Sequence, residues 1–205
     1  IFVVCGASLV SGALLRIMEK TKEVTKAPIE VLYIKPETIL MSETKKLQER
    51  VVFNVLQQYA RSGVLTRMII VSNECLDGLI VDASLSEHFE RVNEIIASTF
   101  HMINVFDNTK SVVDTFSPPR PSSRISTLLV FSPLSESETE TNFYPLQSLT
   151  EARYYYGIPS KDLKAEKNLY REILTEMKKR VEKFSKVSYG VYETSYDTKI
   201  GYAIL

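Results

Sequence analysis

The sequence predicts an α/β fold on a mostly parallel sheet, followed by a long helix and a smaller α+β unit. Three observations carry this. Short apolar runs alternate with helical periodicities over the first 80 residues. An unbroken helical period then runs over 87–110. After the Pro-rich SPPRPSS (117–123), the order of elements changes.

IFVVC (1–5) is apolar throughout, as a strand buried on both faces requires. ALLRIMEKTKEV (13–24) follows as a helix with Leu14, Leu15 and Met18 on one face. IEVLYI (29–34) is a second buried strand, ended by Pro36, which lacks the N–H a central strand needs. A helix spans 43–61, its stripe formed by Leu47, Val51, Val55, Leu56 and Tyr59, with Gly63 as a stop signal. TRMIIVS (66–72) is the third strand.

In the 87–110 helix, Phe89, Val92, Ile95, Ile96, Thr99, Phe100, Ile103 and Phe106 keep the period. Beyond the Pro-rich break, RISTLLVF (124–131) opens a new unit with a sheet of its own. SPLSESETETN (132–142) is polar and acidic, a mobile loop. SLTEARYY (148–155) is a short helix, and 161–184 one long amphipathic helix with Leu163, Leu169, Ile173, Met177 and Val181 as its stripe. VSYGVYE (187–193) and IGYAIL (200–205) are strands joined by a polar turn. YYYG (154–157) either forms an exposed contact or packs its rings against the sheet.

Lys+Arg and Asp+Glu number 25 each in 205 residues. This balance argues against a nucleic-acid footprint or a polybasic membrane patch. Two cysteines, Cys5 and Cys75, are too few for a disulfide scaffold and fit a reducing, cytoplasmic setting. No apolar run approaches the roughly 20 residues that span a bilayer. The chain starts at Ile1, inside an apolar run without an initiator Met, and stops at Leu205 inside another. Together these ends lead us to expect a piece of a longer protein.

The segment GASLVSG (6–12) joins a strand to a helix. Gly6, Ala7, Ser8, Ser11 and Gly12 are small enough to bring backbone N–H groups near an anion, and the helix offers its positive end. A simple tight turn accounts for the same residues, because Leu9 and Val10 interrupt them. Asn73 closes the third strand and offers a donor and an acceptor to a purine edge, or an Asx turn. Asn93, polar on the long helix, needs a partner: a base or a neighbouring backbone group. His101 reads as packing, with no nucleophile beside it.

With these residues in view, the chain resembles the tubulin superfamily: tubulins, the bacterial cell-division homologue, and the tubulin-like GTPases of plasmids and phages. GASLVSG stands where the family has GGGTGTG. Leu9 departs from a threonine and Val10 from a glycine, a substitution a β-branched residue tolerates poorly. IEVLYIKPET (29–38), IIVSNECL (69–76), ERVNEIIASTFHMINVF (90–106) and RISTLLVFSPL (124–134) match further segments in order. Glu43 after the second strand is either a ribose contact or a solvated helix start.

The resemblance implies a partial nucleotide-binding domain over 1–86, a central helix and catalytic loop over 87–116, and an activation domain over 117–205. The family's first roughly hundred residues are then missing. It further implies GTP or GDP bound at Gly6, Ala7, Ser8, Ser11, Gly12, Asn73 and Asn93, with Mg2+ on the phosphates. Subunits associate head to tail into filaments. An acid on the loop after the central helix completes the neighbour's site: Asp114, with Asp107 as second candidate and Ser117 in the place of a second acid. The nearest branch implied is that of plasmids and phages, in DNA segregation, phage positioning or cell division, with a DNA-bound adaptor or cargo as partner. A GTPase active as the full-length polymer follows, the chain alone being inactive. The alternative is a non-catalytic structural member with a degenerate phosphate loop.

Overall fold

The computed structural model describes residues 1–80, 84, 86–116, 123–135 and 139–205. The central feature is one nine-stranded mixed sheet. Its first part is parallel. β1 (Phe2–Cys5), β2 (Glu30–Lys35), β3 (Arg67–Ser72) and the first half of β5 (Ile125–Phe131) run side by side, with Val3 opposite Leu32, Leu32 opposite Ile69 and Ile69 opposite Ser126. α1 (Ser11–Val24) and α2 (Glu43–Arg61) return the chain between these strands. They bury Leu14, Met18, Val52, Leu56 and Ala60 with Val31, Tyr33, Met68 and Ile70.

α3 (Asn73–Leu76) and a 3-10 turn (Asp77–Leu79) lead into α4 (His88–Asp107), the long helix, which covers the other face. Its Val92, Ile96, Ile103 and Phe106 pack on Leu32, Ile69, Val71, Leu128 and Tyr155. α4 therefore links the parallel strands to the second half of the sheet. That half contains β4 (Val113–Asp114), β6 (Glu140–Asn142), β7 (Glu151–Pro159), β8 (Lys186–Thr194) and β9 (Ile200–Ile204), with α5 (Ser160–Ala165) and α6 (Leu169–Val181) between β7 and β8.

Several expectations are corrected. The second unit has no separate sheet: β5 pairs with β3 in parallel and, further along, antiparallel with β9, Leu129 opposite Ala203. Thr127 sits at the junction, fully buried, its hydroxyl donating to the Ile70 carbonyl at 2.8 Å. The SLTEARYY helix is instead the start of β7, held between β8 and β9. A run of aromatics suits that doubly buried, pleated position. Tyr154, Tyr155 and Tyr156 are at most 2% exposed, so these rings are core. β7 also separates β8 from β9, which therefore form no hairpin.

The helix over 161–184 is two helices. Glu166 between them takes an extended backbone (φ −86°, ψ 98°) and accepts the Lys199 ammonium at 2.8 Å. On α2 the stripe is rotated: Leu47 and Val51 lie half exposed, while Glu49 turns inward. β1 is an edge strand with only Val4 buried, because it pairs on one side alone.

The abrupt apolar start, on which the expectation of a piece lacking its opening part rested, is a regular strand in register with β2 from Phe2 onward. Residues 117–122 of SPPRPSS and 136–138 of the acidic loop lie outside the described residues; 140–142 form β6 on β5. No helix among the described residues is long and apolar enough to cross a membrane.

Candidate functional site

Parallel pairing brings the C-terminal ends of three strands together. Cys5 lies opposite Ile34, and Lys35 opposite Ser72, so GASLVSG and Asn73 leave the sheet along one edge. Gly6 continues the ladder, its N–H donating to the Ile34 carbonyl at 3.0 Å. A Cβ at Gly6 would stand 2.4 Å from the Tyr33 hydroxyl and 2.8 Å from Pro36 Cδ, so only glycine fits.

The next residue carries the strain of the turn. Ala7 has φ 60°, the left-handed region that L residues avoid. Val10, by contrast, sits at φ −84°, ψ −19°, an ordinary helical conformation for a β-branched residue. The departure from the glycine pattern at Val10 is thus accommodated without strain. Leu9 is 98% and Val10 64% exposed, both directed to solvent.

The two hydroxyls tie the loop to itself. Ser8 Oγ accepts the Val10 N–H at 3.3 Å, and Ser11 Oγ donates to the Ser8 carbonyl at 2.6 Å. Gln48 of α2 donates to that carbonyl at 2.9 Å and to Ser11 Oγ at 3.1 Å. Gly12 has open space around it. α1 begins with no side-chain cap and no acid in its first turn. Its positive end is therefore unneutralised, a fit for an anionic group.

Beneath the loop, Glu49 Oε1 accepts from Tyr33 Oη at 3.0 Å and from Lys35 Nζ at 3.1 Å. Burial, reinforced by the Glu49 charge, drives the Tyr33 hydroxyl far above its ordinary pKa, which keeps it a donor. Sequence reasoning missed Tyr33, Lys35, Gln48 and Glu49. The legible signal was Glu49, a carboxylate three and seven positions from Val52 and Leu56 on the buried face.

Asn73 opens α3, and its Oδ1 is buried without a hydrogen-bond partner. The Asx turn that sequence left open is therefore absent, and an unmet acceptor stands at the strand ends, a fit for the N–H of a base. Asn93 is exposed on α4. It joins the wall of a cavity of about 480 Å3 between α4 and the β1–β2 edge, with Val3, Leu32, Ile34 and Phe100. His101 lies in the same wall. Glu43 is the solvated first residue of α2, paired with Lys46.

The two acids lie elsewhere. Asp107 follows Asn93 by fourteen helical residues, about 21 Å along the axis. It is already engaged: Tyr155 Oη donates to its Oδ1 at 2.8 Å and Arg153 Nη1 stands 3.4 Å away. Asp114 is exposed on β4, where its Oδ1 accepts the Phe116 N–H at 3.2 Å and its Oδ2 the Ser111 hydroxyl. Ser117 lies outside the described residues. Burial, followed by the charges of Asp107 and Asp114, pushes the Tyr192 hydroxyl up to about 12. Among the described residues no three His, Cys, Asp or Glu side chains converge as metal ligands. A Mg2+ here would rest on phosphate oxygens.

No protein-family profile matches this chain, and no curated protein matches it. Solved structures do. CetZ from Methanosaeta thermophila superposes with a TM-score of 0.67 at 14% identity, over 99% of this chain and 60% of that one. FtsZ of M. jannaschii gives 0.69 at 10% identity, over 98% and 60%. TubZ of Bacillus thuringiensis serovar israelensis, in GDP-form protofilaments, gives 0.69 at 14% identity, over 98% and 62%. The fold is thus tubulin/FtsZ-like, and the chain spans about 60% of the length of these structures. The equal scores of FtsZ and TubZ do not single out a plasmid or phage branch.

Proposed function

We propose that the chain assembles head to tail with copies of itself and holds a guanine nucleotide at each junction, where GTP is hydrolysed with help from the next copy. The observation that carries this is the orphaned Asn73 Oδ1, on the same sheet edge as an uncapped α1 N-terminus. An acceptor facing a base N–H and a positive helix end facing phosphate match the two halves of a nucleotide. The protofilaments formed by TubZ, and its GDP form, lend support by fold.

In this reading Asn73 and Asn93 bind the base, and the positive N-terminal end of α1 faces the phosphates. GTP supplies an activated phosphoryl group. Asp114 orients the attacking water. About 21 Å of α4 separates Asn93 from the helix end that leads to Asp114, which therefore serves a neighbour's site. A head-to-tail contact of this kind does not close and yields a linear polymer.

A second reading, a structural member that does not hydrolyse GTP, is favoured by the inward-tied hydroxyls of Ser8 and Ser11. Equilibrium dialysis with labelled GTP and ATP, followed by phosphate release and light scattering, separates the two. Selective GTP binding with assembly-dependent phosphate release supports the first reading. Selective binding and assembly without release supports the second. Equal affinity for GTP and ATP, or no binding, removes both.

A further inference from the structure

The chain has no net charge, yet unpaired carboxylates and unpaired arginines stand at opposite ends of its parallel half. At the C-terminal strand ends stand the exposed Glu37 and Glu74, neither with an ion-pair partner among the described residues. At the opposite end, where α2 finishes and β5 begins, Arg61 and Arg124 line a cavity of about 840 Å3. Ser123, Thr150, Gln57 and Gln147 are among its other polar lining residues, and no carboxylate is among its described lining residues. Neither arginine makes an ion pair among the described residues.

Arg124 is seated there by Gly63, at φ +81°. A Cβ on Gly63 would come 2.2 Å from Arg124 Nη1, so the guanidinium lies directly over bare backbone. Two exposed guanidiniums on one cavity wall make it favourable for an anion.

We infer that the Arg61–Arg124 cavity is the docking site for the carboxylates Glu37 and Glu74 of a second copy, a contact set by charge rather than by nucleotide. This rests on the head-to-tail reading and names the residues that meet. Translation along the strands brings the acidic end of one copy against the basic end of the next. Zero net charge leaves no overall repulsion between stacked copies. The guanidinium fork matches a carboxylate with paired hydrogen bonds.

The test is a charge swap, read by sedimentation at low and high salt with GTP present. R61E/R124E and E37K/E74K proteins should each assemble at least about 10-fold more weakly than the parent, as lost charge pairs imply. An equimolar mixture should restore assembly through alternating copies, which also shows that both variants fold. Salt should weaken the parent's assembly. If the parent assembles and the variants match it, or the mixture stays dispersed, the inference fails while the head-to-tail reading stands. If the parent does not self-associate at any salt, both fail. Displacement of assembly by millimolar inorganic phosphate without rescue in the mixture makes the cavity a small-anion site and overturns the proposal.

Discussion

Two trios of the same chemistry stand in different parts of the molecule. Tyr33, Glu49 and Lys35 lie beneath the GASLVSG loop; Tyr155, Asp107 and Arg153 lie at the end of α4. In each, a buried tyrosine donates to a carboxylate that a cation also approaches. They differ in access to solvent: the Glu49 side chain is 7% exposed and that of Asp107 30%. The first trio is a support, shaping the floor on which Gly6 rests. The second occupies an acid that the sequence nominates for catalysis, and so turns Asp107 into an anchor between α4 and β7. Asp114, seven residues on, keeps an exposed carboxylate. Position in the chain put Asp114 first and Asp107 second; their partners separate them, Tyr155 and Arg153 of β7 on Asp107 and only sequence neighbours on Asp114.

That division can be broken most directly at Glu49. Glu49→Ala strands a buried hydroxyl and an ammonium, and should cost about 3 kcal/mol; Asp107→Ala, a third exposed, should cost about 1–2 kcal/mol. Urea unfolding measures both, and a larger loss at Asp107 would reverse the comparison. Asp114→Ala should leave the unfolding midpoint nearly unchanged while lowering phosphate release from assemblies about 100-fold. Nucleotide binding by the monomer should persist. If Asp107→Ala abolishes release instead, the roles exchange.

Gly6→Ala, pressed against Tyr33 and Pro36, should destabilise by about 1–3 kcal/mol. Alkaline pH probes the aromatic side of the second trio. The Tyr192 hydroxyl is raised to about 12 in the fold, above the unfolded value of about 10. The stability it contributes is therefore complete below pH 10 and lost as pH rises through 12. Urea midpoints between pH 8 and 12, followed with tyrosinate absorbance, should show a decline only above pH 10. The smallest effect is expected at Gly12→Ala, where open space surrounds the helix start, within about 0.5 kcal/mol of the parent.

Local pattern carried the parallel half a long way. Apolar runs of four to six residues bounded by Pro36 and Gly63, with helical stripes between them, mark β2, β3, α1 and α2. Asn73 and GASLVSG reach one edge because parallel strands must all end on the same side. The second half resisted such reading. EARYYYGIP has no alternation to distinguish strand from helix, because both of its faces are buried.

The sequence by itself determined the long helix, the strand-to-helix loop at Gly6 and the types of side chain available at each strand end. These depend on periodicity and on backbone freedom, which neighbouring residues dictate. Only the tertiary structure decided that β5 joins both halves into one sheet, that the strained dihedral falls on Ala7 rather than Val10, and that Asp107 is held by Tyr155 while Asp114 is exposed. Each of those outcomes depends on a partner distant in the chain. β3 and β9 lie on either side of β5, Gln48 braces the loop around Ala7, and Tyr155 stands 48 residues beyond Asp107. A hydrogen bond's donor and acceptor are chosen by proximity in space, and spacing along the chain does not encode that proximity.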